Sequence, residues 1–145
     1  MRRIKTVAIV GAGTMGQGIA ISCTLAGYET IIFDVNTGFS EKGILTIQQA
    51  LNQSVAKGKL SQTAFEQALG RIRKASQLSE VVADLVIEAV VENLEVKQKL
   101  FTELEKINRA ETILASNTSS IAITQIASTL ADPSRCVGLH FFNPA

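Results

Sequence analysis

The sequence has little of several features that would point to other classes of protein. Its two cysteines, Cys23 and Cys136, form neither a CxxC pair nor a disulfide framework, which indicates two buried thiols in a reducing compartment. No apolar run reaches the roughly 18 residues of a membrane-spanning helix. Fourteen Lys and Arg residues are scattered among thirteen Asp and Glu residues, and the net charge is +1. Because there is no basic stripe, we expect neither nucleic acid nor a membrane as a partner.

What is present is typical of one globular domain: 145 residues, of which 46% are hydrophobic and 19% charged. Three basic residues, Arg2, Arg3 and Lys5, precede the apolar run 7–10, as they would in a signal peptide. Three glycines in residues 11–16 then break that run. We therefore expect a protein of the cytoplasm, or of an organelle after removal of a transit peptide.

Strand-like and helix-like segments alternate along the chain, which predicts a parallel sheet covered by helices on both faces. The predicted strands are residues 4–10, 29–34, 71–75, 83–89, 112–115 and 136–142. The predicted helices are residues 14–26, 40–69, 93–108 and 123–130, the second of them broken at 57–59 and restarted with Ser61 as its N-cap. Because crossovers are right-handed, the fold class is α/β, a Rossmann-type doubly wound sheet with a helical hairpin inserted after the second strand.

The predicted helix 93–108 has the clearest periodicity. Its apolar residues are spaced by 4, 4 and 3 positions, which predicts one buried face made of Val96, Leu100, Leu104 and Ile107.

A glycine pattern, GxGxxG, follows the first strand and opens the first helix. Gly11 permits a tight turn, Gly13 lets the backbone approach a pyrophosphate, and Gly16 lets the helix pack closely on the strand. The alternative is a plain glycine-rich turn. With a strand before it and a helix after it, the segment predicts a dinucleotide site whose loop residues are Gly11, Ala12, Gly13, Thr14, Met15 and Gly16.

An acidic residue, Asp34, lies 18 positions after Gly16, at the end of the second predicted strand. A carboxylate there can accept hydrogen bonds from the adenosine ribose hydroxyls and would repel a 2′-phosphate, and residues 35–37 offer no Arg to neutralise that phosphate. We therefore predict NAD rather than NADP. The alternative is an Asp that starts a turn or caps the next helix.

Four segments together resemble the 3-hydroxyacyl-CoA dehydrogenase family: GAGTMGQGIA (11–20), EAVVEN (88–93), SNTSS (116–120) and HFFNP (140–144). The resemblance covers the whole chain but only the first half of a family member. It implies oxidation of an L-3-hydroxyacyl-CoA to the 3-ketoacyl-CoA, with hydride passing to NAD. We expect residues 1–145 to be the NAD-binding domain of a homodimeric enzyme. The helical substrate domain and the glutamate that assists the catalytic histidine would follow it.

The resemblance also implies residue roles. His140 is the general base, and imidazole suits that role near neutral pH. Ser119 binds near the reacting oxygen and the nicotinamide, and its alternative is an N-cap or turn for the helix at Ile123. Asn117 shapes the same loop, and Asn143 contacts the nicotinamide end or forms a turn before Pro144.

Three charged residues complete the predicted site, and no metal is expected in it. Glu92 and Lys97 match positions beside the nicotinamide ribose, although Glu92 could instead favour a helix start and Lys97 could be a solvated lysine. Lys57 matches lysines that meet CoA phosphates, or lies in a solvated turn.

Two rival interpretations stay open. Dehydrogenases of the 3-hydroxyisobutyrate or 6-phosphogluconate type use a lysine base, so the HFFNP segment argues against them. A sugar-acid or lens-crystallin relative has a similar cofactor half. The second rival is a non-catalytic NAD-binding module. We expect this chain alone to bind cofactor with little or no turnover.

Overall fold

The computed structural model describes residues 3–145. Met1 lies outside the described part, and so does Arg2, which is one of the three basic N-terminal residues named above. The described residues form a six-stranded parallel sheet with the order β3-β2-β1-β4-β5-β6. The strands are β1 Thr6–Val10, β2 Glu29–Phe33, β3 Ile72–Lys74, β4 Leu85–Glu88, β5 Ile113–Ser116 and β6 Cys136–Gly138. The strand order reverses direction between β1 and β4. In open α/β sheets, ligands bind at the carboxyl edge of such a switch point.

Among residues 3–145, five α-helices cover the sheet: α1 Thr14–Leu25, α2 Thr37–Ala56, α3 Gln62–Arg71, α4 Leu94–Ile107 and α5 Ile123–Ala127. Alternate strand residues point to opposite faces. Val7 and Ile9 therefore belong to the core cluster that includes residues of α1, α2 and α3. Ala8 and Val10 belong to the cluster that includes residues of α4. This arrangement confirms the predicted doubly wound fold with α2 and α3 inserted after β2.

Local signals predicted the break between α2 and α3, but α2 begins at Thr37 rather than at residue 40, and α5 ends at Ala127 rather than at residue 130. Gly58 lies in the left-handed region at φ 68°, between α2 and α3, where the break was predicted. Ser61 accepts a hydrogen bond from the amide of Ala64 (3.1 Å), as expected of the N-cap. Asn36 and Asn93 cap α2 and α4 in the same way.

The predicted buried face of α4 is wrong by about one position. Leu104 is buried, but Val96 is 43% exposed, and the fully buried positions beside Leu104 are Lys97 and Phe101. The periodicity predicted the helix correctly. It missed the face because a lysine, which counts as polar in any hydrophobic pattern, lies inside the core.

The last strand is shorter than predicted. It was expected to span residues 136–142, but β6 ends at Gly138. Leu139 makes one more ladder contact, from its amide to the carbonyl of Ser116 (3.0 Å). The amide of Phe141 then bonds to the side chain of Asn117 instead of the backbone (2.7 Å). His140 therefore lies on a loop just past the strand.

Both cysteines are free thiols, Cys23 buried and Cys136 half-buried. Burial raises the pKa of each thiol to about 11, and at Cys136 the charge of Glu88 adds to that effect. Within residues 3–145, no helix combines the length and apolar character needed to cross a membrane.

Candidate active site

Four strands end level at one edge of the sheet. Val10 pairs with Glu88, Glu88 with Ser116, and Ser116 with Gly138, and each of these is the last residue of its strand. The loops that follow are 11–13, 89–93, 117–122 and 139–145. The sheet thereby brings together the four segments that carried the sequence interpretation.

The fold itself requires two of the loop glycines. Gly11 has φ 109°, and a Cβ on it would lie 2.4 Å from the carbonyl oxygen of Ala89. A Cβ on Gly16 would lie 1.7 Å from the carbonyl oxygen of Gly11, so α1 passes directly over the turn. Both glycines permit close backbone approach within the protein.

Gly13 is different, because nothing in the fold demands a glycine there. Its φ is −72°, which any residue adopts, and no described atom lies within 4 Å of a Cβ built on it. Gly13 is the N-cap of α1, and among residues 3–145 no side chain caps this end, whereas Asn36, Ser61 and Asn93 cap α2, α3 and α4. The first turn of α1 therefore begins beside open space at Gly13, without a capping side chain on its first amides. This arrangement fits a diphosphate.

Asp34 holds the glycine loop from the neighbouring strand. Its Oδ2 accepts from the amide of Ala12 and its Oδ1 from the amide of Asn36, both at 2.9 Å. Each carboxylate oxygen keeps acceptor capacity for a further donor. Gln17 donates from Nε2 to the carbonyl of Ala12 (2.8 Å), so the amide and the carbonyl of Ala12 are both held by side chains. The sequence interpretation missed Gln17, since glutamine at the first turn of a helix has no distinctive spacing.

A largely apolar pocket of about 550 Å³ lies between the glycine loop, the residues after β2 and α4. Asp34 and Lys99 are among its polar lining residues, and its apolar walls include Val35, Phe39, Val91, Val96 and Leu100. Val96 and Leu100 of α4, which the periodicity had assigned to the core, form part of one wall. A flat, mostly apolar heterocycle fits such a pocket, with a carboxylate at hand for a sugar.

A second cavity of about 330 Å³ opens on the other side of the loop. It is lined by Met15, Ala89, Val90, Glu92, Lys97, Asn117, Ser119, His140, Phe141, Phe142 and Asn143. Most of the residues predicted for the reacting end of the site therefore share one cavity. Asp34 and the first two glycines lie at the other pocket, and Lys57, an exposed residue at the C-cap of α2, is not among the described residues that line either one.

His140 is exposed and held through its neighbours. Asn117 fixes the next residue by accepting from the amide of Phe141 (2.7 Å), which gives Asn117 the loop-shaping role expected of it. The ring of Phe142 packs edge-on against the imidazole, with ring centroids 4.9 Å apart and planes at 61°.

The serine-rich loop is ordered by Thr118. Its hydroxyl donates to the carboxylate of Glu92 and accepts from the amides of Ser120 and Ile121 (3.3 and 3.0 Å). The residue that caps α5 is Ala122, so the alternative that Ser119 is the N-cap of that helix is wrong. Ser119 is exposed toward the cavity.

Lys97 is almost fully buried, at 1% exposure, so the alternative of a solvated lysine is wrong. Its ammonium lies 2.6 Å from Oε1 of Glu88 and 3.9 Å from Oε1 of Glu92. Glu88 is itself fully buried and also accepts from the hydroxyl of Ser116 (2.5 Å). The sequence interpretation gave Glu88 no role. The available signal was an acid at the last position of a buried strand, at the carboxyl edge where α/β sites lie.

The comparisons with known proteins give the family. A family model described as 3-hydroxyacyl-CoA dehydrogenase, NAD binding domain, matches residues 6–145. The chain belongs to this family. The family assignment confirms NAD as the cofactor, as Asp34 and the glycine loop had predicted.

Known relatives match this chain over almost its whole length. The 3-hydroxyadipyl-CoA dehydrogenase of Escherichia coli is 42% identical over 146 residues, covering 100% of this chain and 31% of that protein. The peroxisomal fatty acid beta-oxidation multifunctional protein MFP2 of Arabidopsis thaliana is 42% identical over 145 residues, covering 99% of this chain and 20% of that protein. A crystal structure of 3-hydroxybutyryl-CoA dehydrogenase from Escherichia coli matches with a TM-score of 0.96 and 41% identity, covering 99% of this chain and 31% of that one. The chain spans 31% of the length of the first of these curated relatives and 20% of the second.

Proposed function

We propose that the intact protein is an NAD-dependent dehydrogenase that interconverts an L-3-hydroxyacyl-CoA and the 3-ketoacyl-CoA. One observation carries the proposal: the 330 Å³ cavity gathers His140, Ser119 and Glu92, from three separate segments, beside Met15 of the glycine loop. An exposed imidazole and a hydroxyl that share a cavity next to a dinucleotide loop suit the removal of a proton from an alcohol.

The same proposal places the cofactor across the switch point of the sheet. The adenine lies in the apolar pocket and its ribose hydroxyls donate to Asp34. The diphosphate meets the amides of the loop and α1, from Gly11 to Gly16. The nicotinamide end reaches the cavity, where Glu92 and Lys97 face its ribose and Asn143 faces the ring. The uncapped end of α1 and the open space at Gly13 support this position of the diphosphate.

When bound, NAD supplies the hydride acceptor. The residues of this chain manage the proton and the orientation of the substrate. His140 takes the proton of the 3-hydroxyl group at an imidazole nitrogen and returns it in the reverse reaction. The Ser119 hydroxyl donates a hydrogen bond to the oxygen that becomes the ketone. Asn117 holds the backbone beside His140 in place, so the imidazole is oriented before substrate arrives.

By itself, the 145-residue chain should bind NAD(H) with little or no turnover. His140, Phe142 and Asn143 are exposed, so this side of the cavity is open to water. Exclusion of water strengthens the electrostatic interactions inside an active site, so an open cavity favours slow turnover. For the intact protein we propose cytoplasmic residence and a homodimer. The contact of Lys57 with CoA phosphates stays a prediction.

Calorimetry with NADH tests the cofactor half of the proposal. We expect Asp34→Ala to weaken NADH binding at least tenfold, since it removes an acceptor for ribose and an anchor of Ala12. Asp34→Asn keeps the size and a single acceptor oxygen, and we expect an intermediate affinity. Wild-type protein should prefer NADH to NADPH. Equal heats of binding for wild type and both variants would remove Asp34 from the site.

Steady-state kinetics of the intact protein test the catalytic half. We expect His140→Gln to lower kcat by about 10²–10⁴-fold, the usual contribution of a general base. The affinity for NADH should change less than twofold, because the imidazole faces the substrate. An unchanged kcat would remove His140 from the reaction.

A further inference from the structure

A fully buried carboxylate lies beneath the cavity without a role in the proposed reaction. Glu88 is 0% exposed at the last position of β4. It accepts from three donors: the Lys97 ammonium at 2.6 Å, the Ser116 hydroxyl at 2.5 Å and the Val90 amide at 2.7 Å. A glutamate is almost never this buried unless it is paired, and this one is paired on α4, on β5 and on the loop after its own strand.

Lys97 connects this carboxylate with the cavity. It projects from α4. Its ammonium lies 2.6 Å from the carboxylate of the buried Glu88 and 3.9 Å from the carboxylate of the partly exposed Glu92. A lysine side chain has four rotatable bonds and a compact charge, so its position depends on its partners. Of the two carboxylates, Glu88 makes the shorter contact and is itself held by the hydroxyl of Ser116.

A buried ion pair is weak evidence for a purely stabilising role. Buried ion pairs are often no more stabilising than apolar residues of similar volume, because both charges lose their hydration. This pair also lies at the edge where the site forms, and Val90, whose amide Glu88 binds, lines both cavities.

We propose that Glu88 is a positioning residue, which holds the Lys97 ammonium at the nicotinamide end of the site. The inference rests on the proposed function, since it needs a dinucleotide that reaches this cavity. Glu88 contacts neither substrate nor cofactor. It acts through Lys97.

Comparison of NADH with ADP tests the inference, because ADP occupies only the adenosine and diphosphate end. In Glu88→Gln, which keeps the shape but loses the charge, we expect NADH binding to weaken roughly tenfold, the value of about one charged hydrogen bond. ADP binding should stay within twofold of wild type. Glu66→Gln, the same change at an exposed residue of α3, should alter neither affinity.

Two further variants keep the test decisive. The double variant Glu88→Gln/Lys97→Met should bind NADH no more weakly than Lys97→Met alone, since one residue acts through the other. If Glu88→Gln does not fold, Ser116→Ala removes one support of Glu88 and should weaken NADH binding about threefold relative to ADP.

Several outcomes would overturn the inference. Equal weakening of NADH and ADP would assign Glu88 a structural role only. Unchanged NADH binding, or full additivity with Lys97→Met, would remove the route through the lysine. If wild-type protein binds ADP but not NADH, or neither, the proposed function fails, and the inference fails with it.

Discussion

Alanine at Gly16 should lower stability and alanine at Gly13 should lower cofactor affinity, because the fold requires a glycine at the first position and not at the second. At Gly16, the new Cβ would lie 1.7 Å from the carbonyl oxygen of Gly11, and an ordinary contact begins near 3.4 Å. The helix α1 and the loop must therefore separate by about 1.7 Å. At Gly13, no described atom lies within 4 Å of the added Cβ.

The expected magnitudes follow from these distances. Gly16→Ala displaces the buried backbone where α1 passes over the turn at Gly11. Its free energy of unfolding should therefore fall by about 3 kcal/mol or more, which corresponds to a Tm roughly 10 °C lower. Gly13→Ala loses part of a favourable N-cap and gains from a less flexible unfolded chain. These terms offset, and stability should change by less than about 1 kcal/mol. Its methyl group occupies the approach of the diphosphate, so NADH affinity should fall by at least about tenfold.

Thermal unfolding and calorimetry on the same preparations provide the assay. Gly70→Ala is the matched control, because Gly70 lies in α3, has open space at its Cβ and lines neither cavity among the described residues. It should raise stability by about 0.5–1 kcal/mol and leave NADH binding unchanged. The reasoning is refuted if Gly13→Ala binds NADH like wild type, or if Gly16→Ala keeps the wild-type Tm.

Three further predictions concern the fold. Asn93→Ala should lower the free energy of unfolding by about 1 kcal/mol, because it removes the cap on the amide of Val96; an unchanged urea midpoint would contradict this role. Phe101→Ala should lower the free energy of unfolding by about 3–5 kcal/mol and Val96→Ala by less than about 1 kcal/mol, measured by chemical denaturation. A larger loss for Val96→Ala than for Phe101→Ala would contradict the buried face of α4 described above. The pKa of about 11 at Cys23 and Cys136 exceeds the model-compound value of 9.0, so unfolding should become easier as pH rises from 9.0 through 11, since the unfolded chain releases those protons first. When both cysteines are replaced by alanine, the free energy of unfolding from denaturation series should depend less steeply on pH. Identical slopes for wild type and the double variant would contradict burial of the two thiols as the cause.

The fold around the proposed cofactor site could be predicted from the sequence because its signals are local. The turn at Gly11, the approach at Gly13 and the acid after β2 all lie within one βαβ unit, at spacings fixed by backbone geometry. The break at Gly58 and the cap at Ser61 were likewise readable, because turn and capping preferences act over a few residues.

The parts that the sequence could not predict depend on distant partners. Lys97 lies on the buried face of α4 because the carboxylate of Glu88, on β4, neutralises its charge. A hydrophobic pattern assigns both residues to the surface, since it counts each of them as charged. The strand β6 ends early because an Asn117 side chain takes the amide of Phe141. Neither contact has a signature in local composition. Gln17 was missed although its partner, the Ala12 carbonyl, is only five positions away, because a glutamine in the first turn of a helix has no distinctive spacing.

The most direct test of the account is a crystal structure of this chain with NAD bound. The account predicts the diphosphate at the first amides of α1, the adenosine ribose within hydrogen-bond distance of the Asp34 carboxylate, and the nicotinamide in the cavity that holds His140. A dinucleotide bound anywhere else, or one whose nicotinamide points away from His140, would contradict it.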